Sequence, residues 1–163
     1  MNPDLEDLYQ QVILDHSRRP RNAGELPSPP AVKVHGDNPS CGDEIDLFVD
    51  FNNEGGVADI KFNGQGCAIS QASASLMTIK TKGRSREEVT RLLAAFHHLL
   101  THHEDEPAEI LGDAQLLQNV WKFPQRVKCA TLAWRALEQA LASSDHPSSQ
   151  GEVTTESDSS SSS

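Results

Sequence analysis

Ile45-Asp46-Leu47-Phe48-Val49-Asp50-Phe51, then Asn52-Asn53-Glu54-Gly55-Gly56, then Val57-Ala58-Asp59-Ile60-Lys61-Phe62 is the stretch that decides the fold. Ile45, Leu47, Val49 and Phe51 alternate with Asp46, Phe48 and Asp50, the two-residue period of a strand with one face buried. The Asn- and Gly-rich segment is a hairpin turn, and Ile60 and Phe62 supply the buried face of the return strand. Upstream, Ala31 to Gly36 reads as a further short strand. The expectation is a small antiparallel sheet of three strands.

Helices flank that sheet. Asn2-Pro3-Asp4 is a helix start signal, and Leu5, Leu8, Tyr9, Val12, Ile13 and His16 follow at helical spacing until Pro20. After Gly66, Ile69, Ser73, Leu76 and Lys80 share one side of a helix whose small residues Ala68, Ala72 and Ala74 permit close packing; Gly83 ends it. Ser85-Arg86-Glu87-Glu88 is a capping box opening a helix through Val89, Leu92, Leu93, Phe96, Leu99 and Leu100. A short helix from Pro107 to about Leu117 and a last one from about Val127 to Ala142 complete the pattern. The class is α+β, with helices packed on one face of the sheet. Residues 1–143 form one domain.

Composition narrows the function. The chain of 163 residues carries a net charge of -10, which argues against nucleic acid as a principal partner. From Asp145 onward the acids Asp145, Glu152, Glu156 and Asp158 meet no lysine or arginine, and serine and threonine dominate. Residues 144–163 therefore read as a disordered, solubilising acidic tail. The first twenty residues are polar and charged, unlike a secretory signal, and no apolar run approaches the roughly 20 residues of a membrane span. A cytoplasmic protein with reduced thiols is expected, with no membrane partner.

Its three cysteines carry the chemistry. They stand in Asn38-Pro39-Ser40-Cys41-Gly42-Asp43, Gly64-Gln65-Gly66-Cys67-Ala68 and Arg126-Val127-Lys128-Cys129-Ala130. Three thiolates and the Asp43 carboxylate can complete a tetrahedral metal site. Gly42 allows a sharp turn, so Cys41 and Asp43 can face one ion. Cys67 opens a helix, where unpaired N–H groups stabilise a thiolate. Cys129 is placed in the first turn of the last helix, where Arg126 and Lys128 would lower its pKa and offset the charge of the site. The gaps of 25 and 61 residues between successive cysteines are too wide for a zinc finger, so the ligands must converge through the tertiary fold. Two plainer readings stand beside this one: three separate buried cysteines acting as small hydrophobes, or a purely structural zinc.

The three motifs in this order, with Leu8-Tyr9-Gln10-Gln11-Val12-Ile13-Leu14-Asp15-His16 and Arg19-Pro20-Arg21-Asn22, resemble the U-type iron–sulfur assembly proteins, the family of the scaffold IscU and the zinc-dependent sulfur acceptor SufU. The similarity runs from about Leu5 to Leu141. Lys128, where IscU-type scaffolds have histidine, Arg126 and a helical insertion around Glu88 to Gln118 resemble the SufU branch. The resemblance implies a SufE/IscU-like fold and a zinc site of Cys41, Asp43, Cys67 and Cys129. It implies that Cys41 accepts persulfide sulfur from a SufS-type, PLP-dependent cysteine desulfurase and passes it to a downstream Suf assembly scaffold. In the family picture a histidine of the desulfurase replaces Cys41 on the zinc. The alternative it leaves open is a non-catalytic scaffold carrying a [2Fe–2S] cluster on the same four residues.

Other signals read as structural. His97, His98, His102 and His103 look like a metal cluster, but a solvated helix end suits them better. His16, on an apolar face, reads as a packing histidine. Arg18, Arg19 and Arg21 could steer an acidic partner or merely solvate a helix end. Gly64-Gln65-Gly66 lacks the third glycine of a nucleotide-binding loop.

Overall fold

The computed structural model describes residues 11–102 and 109–144, and the backbone of 151–154. Helix α1 (Gln11–Arg18) is followed by strands β1 (Val32–Asn38), β2 (Asp43–Phe51) and β3 (Val57–Gln65). Helices α2 (Ala68–Thr81) and α3 (Arg86–Thr101), a 3-10 segment (Glu109–Lys122), α4 (Pro124–Ser144) and strand β4 (Gly151–Thr154) complete the order. The start signal at Asn2-Pro3-Asp4 lies outside the described residues.

The hairpin forms as its alternation requires. Leu47 opposes Phe62 and Val49 opposes Ile60 across β2 and β3, while Val34 opposes Leu47 across β1 and β2. All five side chains are buried, so one face of the three antiparallel strands is the floor of the core. Phe48, assigned by alternation to the opposite face, is buried as well; Lys33 Nζ lies 5.7 Å from its ring centroid. The stem of Lys33 covers apolar surface there.

Each outer strand of the antiparallel three meets a further segment. On the β3 side, Phe62 donates to the Asn22 carbonyl at 3.0 Å and accepts from the Gly24 N–H at 2.8 Å. On the β1 side β4 pairs in parallel, Val34 to Asp37 against Gly151 to Thr154, giving the order β3-β2-β1-β4. Within the tail expected to be disordered, Gly151–Thr154 is thus a strand; residues 145–150 and 155–163 lie outside the described ones.

The helices lie on the core face. α2 packs on β3, on α1 and on α4, and α4 crosses β1 and β2. Ala72 and Ala74 keep α2 close to its neighbours, and its buried serines knit the layers together. Ser73 Oγ donates to the Ala130 carbonyl of α4 at 2.6 Å and accepts from Trp134 Nε1 at 2.9 Å. Trp134 stacks on Phe96 of α3 with 4.1 Å between ring centroids. His16 bonds to Ser75 Oγ at 2.7 Å, so it is a satisfied packing histidine. The Ser85–Glu88 capping box is formed in both directions.

Two helix expectations change. The segment expected as a short α-helix to about Leu117 is 3-10, interrupted at Gly112 (φ 54) and extending to Lys122. Its buried residues Leu111, Ala114, Leu117 and Val120 repeat every third position, the period at which a 3-10 helix stacks its side chains. α4 begins at Pro124 instead of Val127, with proline in the first turn, where its missing N–H costs nothing.

Trp134→Ala removes a stacked ring and strands the Ser73 network. We expect a loss of about 3–5 kcal/mol, measured as a lower urea midpoint with the m-value unchanged. His16 supplies a pH signature. Burial holds its imidazole below the ordinary value, so the unfolded chain takes up the proton first. The stability owed to neutral His16 is therefore present above about pH 6.5 and declines as pH falls below it. Between about pH 7.5 and 5.5 the Tm of the wild type should fall further than that of His16→Gln.

Candidate metal centre

The site sits where β1, β2 and the starts of α2 and α4 meet. Asn38, the last residue of β1, pairs with Asp43, the first of β2. The turn between them is closed by the Asn38 carbonyl, which accepts from Cys41 N–H at 3.1 Å and Gly42 N–H at 3.0 Å. Gly42 takes a left-handed conformation (φ 72), which an L side chain adopts only with strain. That reversal puts Cys41 and Asp43 on the same side.

Asp43 is 1% exposed, and its carboxylate ties the elements together. Oδ1 accepts from the Cys67 N–H at 3.0 Å and the Ser70 hydroxyl at 3.3 Å; Oδ2 accepts from Asn38 Nδ2 at 3.1 Å. Cys67 is the N-cap residue of α2, and its own side chain makes no capping bond. A carboxylate from β2 thus supplies the anion at the helix N-terminus, satisfying donors that the helix leaves unpaired. Gly66 lies directly beneath: a Cβ there would overlap the Asp43 carboxylate and the Ser70 hydroxyl.

Cys41 Sγ, an Asp43 oxygen and Cys129 Sγ all lie within 4.8 Å of one another, and no other such group of three occurs among the described residues. Cys67 is outside that triplet but borders it, through its N–H on Asp43 and a hydrogen bond between its sulfur and that of Cys129. Cys129 is buried, whereas Cys41 and Cys67 are half-buried.

The two inner thiols shift in opposite directions. A hydrogen bond with Cys129, with backbone N–H groups of Ser70 and Ile69, draws the Cys67 thiol down to about 6. Cys129 moves the other way, pushed up by its bond to the Cys67 sulfur, by burial and by Asp43. The expectation that Arg126 and Lys128 would lower it is thereby corrected. With α4 starting at Pro124, Cys129 falls in the second turn, and its Sγ lies 3.4 Å from the Gln125 carbonyl instead of facing free N–H groups. Arg126 and Lys128 are both half-buried on α4. Arg126 is three residues before Cys129 and shares its side of the helix, while Lys128 is turned by about 100°.

Three sulfurs and a carboxylate oxygen are a donor set that fits zinc, and equally an iron–sulfur cluster. Asn38 is the site residue that spacing did not single out. It is completely buried, and Nδ2 also lies 3.7 Å from Cys129 Sγ, so one amide binds the carboxylate and one of the thiols. Its signal was the position before Pro39 in the first cysteine motif, an amide at a strand end. Ser70, three residues after Cys67, is a second partner found only in three dimensions. The histidines stay apart from the site: His98 and His102 are exposed, with rings stacked 4.1 Å apart. His103 lies outside the described residues.

Because Asn38 holds two ligand candidates at once, Asn38→Ala should weaken zinc binding about 10–100-fold, the usual scale for a residue that orients metal ligands. Competition with a chromophoric chelator measures this, and circular dichroism should show the fold retained.

Residues 8–130 match the family model described as NifU-like N terminal domain. The chain is 46% identical over 137 residues to the iron–sulfur cluster assembly scaffold protein IscU of Streptococcus pyogenes, covering 84% of each chain. It is 44% identical to the zinc-dependent sulfurtransferase SufU of Bacillus subtilis, covering 86% of this chain and 94% of that one. Among solved structures, a candidate iron–sulfur cluster assembly scaffold for the SUF system from Fervidobacterium islandicum superposes with a TM-score of 0.74 at 33% identity, over 83% of this chain and 98% of that one. A NifU-like protein from Brucella abortus, at 22% identity and a TM-score of 0.77, shares the fold. With this match over most of its length, the chain belongs to the NifU-like N-terminal domain family, the family of IscU- and SufU-type proteins.

Proposed function

We propose that this protein is a zinc-dependent sulfur acceptor for iron–sulfur cluster assembly, taking persulfide sulfur on Cys41 from a SufS-type, PLP-dependent cysteine desulfurase. One observation carries the reading: among the clustered ligand candidates, Asp43 and Cys129 are buried and cross-bonded, while Cys41 sits half-exposed on a turn that its glycine neighbour reverses. The arrangement combines a fixed inner pair with an outer thiol that a partner can reach. Lys128 beside Cys129, Arg126 and the helical segment between Cys67 and Cys129 support the SufU type within the family. So does the identity to the B. subtilis SufU, a protein named as a zinc-dependent sulfurtransferase.

In this reading Cys41, Asp43, Cys67 and Cys129 hold the zinc. The metal, when bound, keeps thiolates deprotonated at neutral pH without redox chemistry of its own. Asn38, Ser70 and the Cys67 N–H fix the Asp43 carboxylate, and Cys67 starts as the most acidic of the inner thiols. Cys41 acts as the nucleophile. Its thiolate attacks the outer sulfur of the desulfurase persulfide, a new S–S bond forms at Cys41, and the desulfurase cysteine leaves as thiolate. The outer sulfur has then moved to Cys41 with no net change of oxidation state, ready for a downstream Suf assembly scaffold.

A second reading has its own support, because the S. pyogenes relative is named as a scaffold and three thiolates suit a [2Fe–2S] cluster. Alanine formation from cysteine by a SufS-type desulfurase, without iron, separates the two. We expect strong multi-turnover acceleration by the zinc-loaded chain and none by Cys41→Ala, whose fold survives. Full acceleration by Cys41→Ala removes the acceptor assignment. No acceleration by the wild type, with a competent desulfurase, favours the scaffold.

A further inference from the structure

A cleft of about 380 Å³ opens at the other end of α2, between α3 and the 3-10 segment, lined by Lys80, Arg84, Glu88, Arg91, Leu92 and Ile110. Lys80 follows Cys67 by thirteen residues of helix, so the cleft lies about 20 Å from the cysteines. Its lining carries three cations and one carboxylate in a chain whose net charge is -10. Glu88 does not neutralise them all. Its carboxylate accepts from the Ser85 N–H at 3.1 Å in the capping box and meets Arg84 at 3.5 Å. Lys80 and Arg91 have no ion-pair partner among the described residues. Between the cations the surface is apolar: Leu92 is buried and Ile110 is half exposed.

We propose that this cleft is a docking groove for an acidic segment of a partner protein, in which an apolar side chain flanked by carboxylates sits against Leu92 and Ile110. Charge complementarity commits the occupant. A surplus of cations over carboxylates, held over apolar surface on an otherwise acidic protein, attracts carboxylates and repels basic segments, and a partner's apolar side chain can exclude water from the pairs. Neither the groove nor its occupant depends on sulfur transfer at Cys41, so the two readings stand or fall separately.

The test is an NMR titration of the full chain with Ac-Glu-Leu-Asp-Glu-amide, with Ac-Lys-Leu-Lys-Lys-amide and tripolyphosphate as comparison probes. The proposal expects shift changes centred on Lys80, Arg84, Arg91 and Ile110 with the acidic peptide alone. Affinity should weaken at least fivefold both in the Lys80→Glu/Arg91→Glu double variant and on raising salt from about 50 to 300 mM, where the Debye length shortens. The double variant should keep the wild-type Tm, since neither side chain has an ion-pair partner among the described residues. Absence of shifts at the groove, or equal binding of the basic peptide or of the double variant, overturns the proposal. Shifts with tripolyphosphate but not with the acidic peptide overturn it too, and make the cleft a small-anion site.

Discussion

The buried carboxylate of Asp43 is the constraint on which the rest of this structure depends. It begins β2, caps the start of α2 through the Cys67 N–H and the Ser70 hydroxyl, and takes the Asn38 amide from the end of β1. A buried carboxylate is costly unless its lone pairs are filled. Three donors from two segments, the end of β1 and the start of α2, fill them here, so the carboxylate ties the sheet to the helix that carries Cys67. Gly66 makes room for the arrangement, because any side chain at that position would collide with the carboxylate.

This coupling of fold to site explains the unequal roles of the cysteines. Cys129 is held by α4, the helix whose Ala130 carbonyl and Trp134 ring are locked to Ser73 and Phe96 in the middle of the core. Cys67 is held by the helix start that Asp43 caps. Cys41 hangs on a four-residue connection between paired strand ends, and the left-handed Gly42 gives that connection its reversal. The inner ligand candidates are thus held by packed elements, and the outer one stands on a turn.

Much of this was legible in the sequence because it rests on local periodicity. The β2–β3 hairpin and the capping box of α3 follow from spacing and turn chemistry, and the three antiparallel strands and helical layer are as expected; α2, by contrast, is buried at every position from Ala72 to Thr78, so no single face marks it, and Lys80 lines an open cleft. The meeting of Cys41 and Asp43 is legible locally through Gly42, but Cys129, 86 or more residues away, is suggested only by residue type and family resemblance, since such a distance leaves no local trace. Reasoning from neighbours in sequence fails at Cys129: cations adjacent in the chain count for less than the Cys67 sulfur and the buried Asp43 carboxylate adjacent in space. The 3-10 segment departs from the α-helical expectation because its buried residues repeat every third position, a period close to the helical one. Asn38 went unnoticed because an amide at a strand end usually serves a turn, and its second role depends on α4.

The measurement that tests the central claim most directly is X-ray absorption at the zinc edge of the loaded protein, compared with the Cys67→Ser variant. The account predicts three sulfurs and one oxygen or nitrogen donor around zinc in the wild type, with one sulfur lost in the variant. A first shell of two sulfurs, unchanged by Cys67→Ser, would contradict it: Cys67 would then stand beside the centre as a neighbouring thiol and not close it.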